Sequence, residues 1–232
     1  MSGDYSWLSH FDLGLNWAVI IKWLPRLAQG ATLTLELVAI AVIAGLLLAI
    51  PLGIARSSRL WYVRTLPYCY IFFFRGTPLL VQLFLLFFGL PQFGILLPAF
   101  MCGVLGLGIY SGAYVSEIVR GSIQSIDRGQ MEAARSLGMP YRMAMRKVVL
   151  PQAFVRMIPP LGNEFIALIK NSALVSLLTI DDVMHEGEKI ISVSYRSLET
   201  YLVIAGIYLV LTSLTTVALR RTERRLRADG RV

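Results

Sequence analysis

An uncharged apolar run is the feature that most limits what this chain can fold into. Residues 76–116 contain no Asp, Glu, Lys or Arg. A helix needs about 20 apolar residues to cross the hydrocarbon core of a bilayer, so this run is too long for a single span. The sequence GLPQFG at 89–94 supplies turn-forming residues that would divide it. The run therefore predicts a membrane protein with more than one span.

The composition of the whole chain supports the same class. Hydrophobic residues make up 56% and charged residues 16% of the 232 residues, whereas soluble domains are about 25% charged. We therefore predict an all-α polytopic membrane protein with about five transmembrane helices. The predicted spans cover residues 31–55, 66–90, 95–117, 153–180 and 199–219. Arg75-Gly76-Thr77-Pro78 is expected to interrupt the second span, and Pro159-Pro160-Leu161-Gly162 the fourth.

Loop charges predict the orientation of these spans. Five spans place the two termini on opposite sides, and the positive-inside rule assigns the Lys- and Arg-rich loops to the cytoplasm. Basic residues concentrate in 56–65, in 118–151 and in the C-terminal tail, which share one side, while the acidic loop 181–198 lies on the other. The N-terminus is therefore predicted to be periplasmic and the C-terminus cytoplasmic. This placement accounts for the net charge of +8 without a nucleic-acid partner.

The predicted organisation has three parts. Residues 1–30 would form a periplasmic or interfacial segment, in which 17–29 would be an interfacial helix. Residues 31–220 would form one transmembrane domain that includes the cytoplasmic segment 118–151, and 221–232 would be a basic cytoplasmic tail.

The cytoplasmic segment 118–151 carries the end signals of two short helices. Asp127 can cap a helix over 128–137, and Gly138 suits the left-handed residue just past its end. Pro140 suits the first position of a second helix. The residues alone leave two interpretations open. The segment is either an amphipathic connector that lies on the membrane, or a helix-turn-helix that inserts into a groove of a partner protein.

The first of these helices has a three-residue apolar repeat. Met131, Ala134 and Leu137 would share one face. The sequence thus predicts that all three side chains pack on the same side of the helix.

The same segment resembles the EAA loop of ABC importer permeases. The residues that match the spacing of that motif are Glu132-Ala133-Ala134, Gly138, Val148 and Leu150-Pro151. Further stretches resemble the polar amino-acid uptake branch of that family, the histidine-, glutamine- and arginine-type permeases. These stretches are FRGTPLLVQ at 74–82, YVSEIVRGSIQSIDRGQ at 114–130, PPLGNEFIALIKNSALVS at 159–176 and YRSLETYLVIAGIYLVL at 195–211. Asn171 departs from the Asp that is expected in many relatives.

The resemblance implies the type I ABC importer permease fold and a location in the bacterial cytoplasmic (inner) membrane. It implies that the EAA helix docks into a cytoplasmic ATPase and couples ATP hydrolysis to movement of the permease. The coupling residues would be Glu132, Ala133, Ala134, Leu137, Gly138, Leu150 and Pro151. The implied partners are two ATPase subunits, a second permease subunit of the same or a paralogous chain, a periplasmic amino-acid-binding protein and the lipid bilayer. ATP and Mg²⁺ would be held by the ATPases, and this chain would bind no cofactor or metal and have no catalytic residue.

Polar residues at membrane depth are the candidates for a substrate path, because such residues are costly in a bilayer. The candidates are Arg75, Asn163, Glu164, Lys170 and Asn171. Arg75 would either anchor the cytoplasmic mouth or pair with a carboxylate. Glu164 would bind the amino group or basic side chain of a substrate, or form an internal pair with Arg75 or with a cation of the second subunit.

Two other functional classes remain as alternatives to an importer subunit. A self-sufficient secondary transporter or channel is disfavoured because the sequence has no internal repeat, which such transporters usually have. A membrane scaffold is disfavoured by the polar fourth span. Gly108 and Gly112 form a GxxxG motif that predicts close helix packing.

Overall fold

The computed structural model describes the backbone of residues 17–58 and 60–228 and the side chains of residues 21–58 and 60–222. The predictions for 1–16 and for the last four residues of the tail lie outside these ranges. The helices are α1 Trp17–Arg56, α2 Trp61–Gly76, α3 Leu79–Phe84, α4 Ala99–Gln124, α5 Arg128–Ser136, α6 Tyr141–Ala144, α7 Leu150–Asn171, α8 Val183–Ser194 and α9 Ser197–Ala228. Shorter helical turns continue three of them: Leu85–Gly89 and Leu90–Phe93 follow α3, Met145–Val149 follows α6, and Ser172–Leu178 follows α7.

The all-α class and the number of spans agree with the sequence prediction. Four helical stretches are long and apolar enough to cross a membrane: Ile21–Arg56, Ala99–Gln124, Tyr141–Leu178 and Ser197–Thr222. A fifth candidate is the bent pair formed by Trp61–Gly76 and Leu79–Phe93. The first span is longer than predicted, because α1 runs without a break from Trp17. Residues 17–29 are therefore not a separate interfacial helix.

The second span is broken where the sequence predicted an interruption. α2 ends at Gly76, and Pro78 has an extended backbone with φ −63° and ψ 138°. The two halves of the span meet at 104°. Proline lacks a backbone N–H, and the residue before it is driven out of the helical region, so a helix cannot continue through this position without strain.

Gln82 donates hydrogen bonds to backbone carbonyl groups beside this break. Its side-chain Nε2 donates to the carbonyl oxygens of Phe74 at 2.9 Å and Thr77 at 3.1 Å, and to the Thr77 hydroxyl at 2.9 Å. Gln82 is only 5% exposed. A buried carbonyl without a donor costs free energy, so this amide stabilises the bend.

The predicted interruption of the fourth span is wrong. α7 continues through Pro159 and Pro160 as one helix. A proline has a helical φ, so its cost is the lost hydrogen bond and local crowding, and neighbouring helices compensate for this. Gly162 allows such a neighbour to approach, because a Cβ there would lie 2.2 Å from the side chain of Leu219 in α9.

α1 and α4 form the tightest helix pair in the described part of the chain. A Cβ at Gly45 would lie 3.0 Å from the carbonyl oxygen of Gly108, and one at Gly112 would lie 3.4 Å from that of Gly45. A Cβ at Gly53 would lie 2.6 Å from the Cβ of Val119. The predicted packing role of the GxxxG motif is therefore confirmed, since its glycines let two backbones meet.

The start of α8 meets the middle parts of α1 and α9 at a buried carboxylate. Asp182 caps α8 by accepting a hydrogen bond from the backbone N–H of His185 at 2.9 Å, and the hydroxyl of Tyr208 lies 3.4 Å from its Oδ2. The backbone of Asp182 packs on Gly30 of α1. The hydroxyl oxygen of Thr34 in α1 accepts a hydrogen bond from the backbone N–H of Val183 at 3.3 Å. Burial raises the pKa of Asp182 from its ordinary 3.8 to about 6, although the N–H of His185 partly opposes this shift.

We expect this carboxyl group to make stability depend on pH. Because its pKa is raised on folding, the protonated carboxyl group stabilises the folded state. This contribution to the free energy of unfolding is fully present below pH 4 and is lost as the pH rises through about 6. The effect is about 3 kcal/mol. Asp182→Asn keeps a capping side chain but does not titrate. Wild-type Tm should therefore fall relative to the Asp182→Asn variant between pH 4 and pH 7, measured by thermal unfolding in detergent. A constant difference in Tm across this range would contradict the assignment.

Candidate functional site: segment 118–151 and the charges at membrane depth

The first helix of segment 118–151 has the predicted ends. Asp127 caps α5 by accepting from the backbone N–H of Gly129 at 2.6 Å. Gly138 is left-handed, with φ +84°. The backbone N–H of Gly138 donates to the carbonyl of Arg135 at 2.9 Å, and that of Met139 donates to the carbonyl of Ala134 at 3.2 Å. These hydrogen bonds form a glycine C-cap at the end of the helix. Pro140 precedes α6 rather than lying in its first position.

The predicted common face of this helix is only partly present. Ala134 is 4% exposed and Met131 is half-buried, but Leu137 is 80% exposed. The reason is that α5 ends at Ser136, so the backbone at Leu137 already turns away from the helix axis. Glu132 and Ala133 are also exposed. The α5 end thus presents an exposed surface that combines a carboxylate, a small residue and a large apolar side chain.

Two polar contacts tie this loop to the fourth span. Gln152 of α7 donates to the side-chain oxygen of Gln130 in α5 at 3.2 Å. Arg156 of α7 donates to the backbone carbonyl of Ser125 and, at 3.2 Å, to its hydroxyl. Sequence analysis missed these residues. Gln152 lies directly after the Leu150-Pro151 match, but its partner is far away in sequence.

Leu150 and Pro151 lie where the loop becomes a membrane helix. The turn Met145–Val149 has π-helical geometry, and regular α-helix starts at Leu150. Pro151 stands in the first turn of α7, where a missing N–H costs little. The loop is therefore joined to α7 by continuous helical backbone.

Among the residues predicted at membrane depth, Arg75 and Glu164 are near enough for the charge of Arg75 to affect Glu164, but no ion pair joins them in the described structure. Oε1 of Glu164 is buried and accepts no hydrogen bond from the described residues. The positive charge of Arg75 acts on Glu164 and on Tyr110. The Arg75 guanidinium lies over the ring of Tyr114, 4.9 Å from its centre, and the rings of Tyr110 and Tyr114 are 4.7 Å apart.

No hydrogen bond or ion pair in the described structure joins the other predicted residues to this group. Asn163 and Lys170 are exposed, and Asn171 is half-buried. The tyrosines beside Arg75 were missed by sequence analysis, because an aromatic residue in an apolar span gives no signal of its own. A cavity of about 360 Å³ next to Arg75 is also lined by Arg56, Tyr68, Tyr114 and Glu117.

The chain is similar in sequence to known transport permeases. The arginine transport system permease protein ArtQ of Bacillus subtilis (strain 168) is 37% identical over 94% of this chain and 100% of its own length. The glutamine transport system permease protein GlnP of Escherichia coli (strain K12) is 35% identical over 91% of this chain and 98% of its own.

Solved structures share the fold. The crystal structure of an amino acid ABC transporter with histidines has a chain that is 44% identical, with a TM-score of 0.88 over 92% of this chain and 100% of that chain. An inward-facing structure of the MetNI methionine ABC transporter has a TM-score of 0.77 at 18% identity, over 88% of this chain and 98% of that one, which is similarity of fold alone. Residues 18–228 match the family of the binding-protein-dependent transport system inner membrane component. The chain therefore belongs to this family of inner-membrane transport components.

Proposed function

We propose that this chain carries polar amino acids, with basic ones as the first class to test, through the inner membrane by alternating access. The observation that carries the proposal is the unpartnered Oε1 of Glu164, which is buried near the positive charge of Arg75. A free amino acid has an ammonium and a carboxylate group, so it needs one partner of each sign. The relatives whose names specify arginine and glutamine support this substrate class.

Reconstitution tests the proposal directly. The full chain, with its co-purifying ATPase and binding protein, would be placed in liposomes and scanned with amino acids for stimulated ATP hydrolysis and uptake. Stimulation by polar amino acids is the expected result. Flux by the chain alone without ATP would instead establish a self-sufficient secondary transporter and overturn the proposal.

Replacement of Glu164 tests its place in the path. Glu164→Gln removes the negative charge but keeps nearly the same size, so KM for basic amino acids should rise by roughly tenfold, as expected for loss of a charge-assisted hydrogen bond. KM for neutral amino acids should change less. Glu36→Gln is the matched control, because Glu36 is an exposed carboxylate in α1. Equal KM values for wild type and Glu164→Gln with both substrate classes would remove Glu164 from the site.

The exposed end of α5 is proposed as the coupling surface for the ATPase. Glu132, Ala133 and Leu137 would contact the ATPase, Ala134 would hold α5 against the permease, and Gly138 would set the turn. The support is the exposure of the first three and the burial of Ala134. Leu150 and Pro151 would pass movement into α7. The assembly would contain two ATPase subunits that hold ATP and Mg²⁺, a second permease subunit and a periplasmic binding protein.

The proposed orientation places the N-terminus in the periplasm and the C-terminus in the cytoplasm. The basic loops and tail carry this assignment through the positive-inside rule. A reporter fused after Val232 that is active only in the cytoplasm should therefore be active, and one that is active only in the periplasm should be silent. Labelling of a C-terminal tag by a reagent that does not cross the membrane, applied to intact cells, would contradict the orientation.

A further inference from the structure

A second basic cavity lies at the turn between α1 and α2. It has a volume of about 400 Å³ and is lined by Arg56, Arg64, Thr65 and Tyr68. Arg56 ends α1, and Arg64 and Thr65 lie in the first turns of α2. No carboxylate lines this cavity within the described part of the chain. A cavity with two guanidinium groups favours an anion with several oxygen acceptors.

The carboxylate that pairs with Arg56 is bound more closely by another arginine. Glu117 accepts from Nε of Arg120 at 2.9 Å and from its Nη2 at 2.6 Å. Nε of Arg56 is 3.8 Å from Glu117, is buried, and donates no hydrogen bond to the described residues. Arg56 is held in place by the ring of Tyr68, whose centre is 5.0 Å from the guanidinium. Arg56 therefore shares Glu117 with Arg120, its Nε is left without a hydrogen bond, and Arg64 has no ion pair with any described residue.

The surroundings of the cavity are those of a membrane surface. Trp61 and Tyr62, at the start of α2, are 70% and 60% exposed. Aromatic residues of this kind concentrate at the level of lipid headgroups. Further along α2, Leu66 is 74% exposed and Phe72 is 70% exposed, so an apolar surface continues away from the basic end. The cavity thus offers a polar site for a headgroup next to a surface for acyl chains.

We propose that this cavity binds the phosphodiester of an anionic phospholipid in the cytoplasmic leaflet. Arg56 and Arg64 would hold the phosphate oxygens, and acyl chains would lie along the exposed side of α2. The leaflet rests on the proposed orientation, but the site itself does not depend on which substrate is transported. Basic pockets between transmembrane helices on the cytoplasmic side are suited to anionic headgroups.

Native mass spectrometry of the purified complex tests this proposal without substrate or ATP. The complex would be titrated in detergent with phosphatidylglycerol or with phosphatidylcholine of the same chain length. Preferential retention of phosphatidylglycerol is expected, and Arg64→Gln should weaken it roughly fivefold. Arg220→Gln is the matched control, because Arg220 is an exposed cation at the end of the last span and lies outside the cavity. It should retain the lipid like the wild type.

Three results would overturn the assignment. One is equal retention of the two lipids, and another is wild-type retention by Arg64→Gln. The third is displacement of phosphatidylglycerol by inorganic phosphate or by a free amino acid at equal concentration, which would mean that the cavity takes a soluble anion. Arg56→Gln should give the same loss as Arg64→Gln, and a properly assembled complex by size-exclusion chromatography shows that neither variant is misfolded. Because no transport is measured, failure here leaves the proposed transport function untouched.

Discussion

Gly138→Val is expected to reduce substrate-stimulated ATP hydrolysis by the assembled transporter by more than an order of magnitude. Gly138 has φ +84°, a conformation that costs a residue with a side chain roughly 1–2 kcal/mol and is worse for a β-branched one. The space around it is open, so the variant should fold. The strain would be relieved by moving the turn, which would displace the exposed Leu137 from its place on the proposed coupling surface.

The measurement is ATP hydrolysis by the reconstituted complex, with and without loaded binding protein. Gly138→Asn is the matched comparison, because asparagine tolerates the left-handed region much better than valine does. It should keep a larger part of the stimulation. If valine and asparagine lower the stimulation equally, backbone conformation at this turn is not what matters.

Gly53→Val is expected to have the largest effect on stability. A Cβ at this position would lie 2.6 Å from the Cβ of Val119 and 2.7 Å from the carbonyl oxygen of Ser116. Neither atom is the end of a flexible side chain, so α1 and α4 would have to separate. Overpacking of this kind costs about 3 kcal/mol. We expect a clear fall in Tm in detergent and a loss of monodisperse protein.

Gly121→Val is the control for this prediction. Gly121 also lies inside a helix, but a Cβ there would meet nothing within 4 Å. Valine has a better helix propensity than glycine, so this variant should keep the wild-type Tm or exceed it. A Gly53→Val protein that is as stable as Gly121→Val would show that the two helices are less closely packed than described.

Most helix boundaries could be predicted from the sequence, because the caps and breaks that set them depend on only a few neighbouring residues. Asp127 and Gly138 mark the ends of α5 by their own side-chain and backbone preferences, and Pro78 breaks the second span because it lacks a backbone donor. Pro159 and Pro160 were misjudged for the opposite reason. Whether a proline interrupts a helix depends on the neighbours that pack around it, and these are not visible in the local sequence.

The candidate site was harder to predict, because its parts come together only in three dimensions. Arg75 and Glu164 were both candidates, but Tyr110 and Tyr114 lie beside Arg75 through the packing of separate helices. Gln82 was visible in a stretch that resembles the family, yet nothing nearby in sequence indicates that it satisfies the broken backbone. The family membership establishes that ATP hydrolysis takes place in other subunits and not in this chain.

The close glycine packing between α1 and α4 has a mechanical consequence. Where Gly45, Gly108 and Gly112 bring two backbones into contact, the glycines themselves have no side chains that could change rotamer and let one helix slide over the other. We expect α1 and α4 to move as one rigid body during transport. The shape change of the subunit must then be absorbed elsewhere, at the bend beside Pro78 and along α9, whose apolar side chains are largely exposed. A pair of glycine-packed helices thus determines which parts of the molecule are free to move.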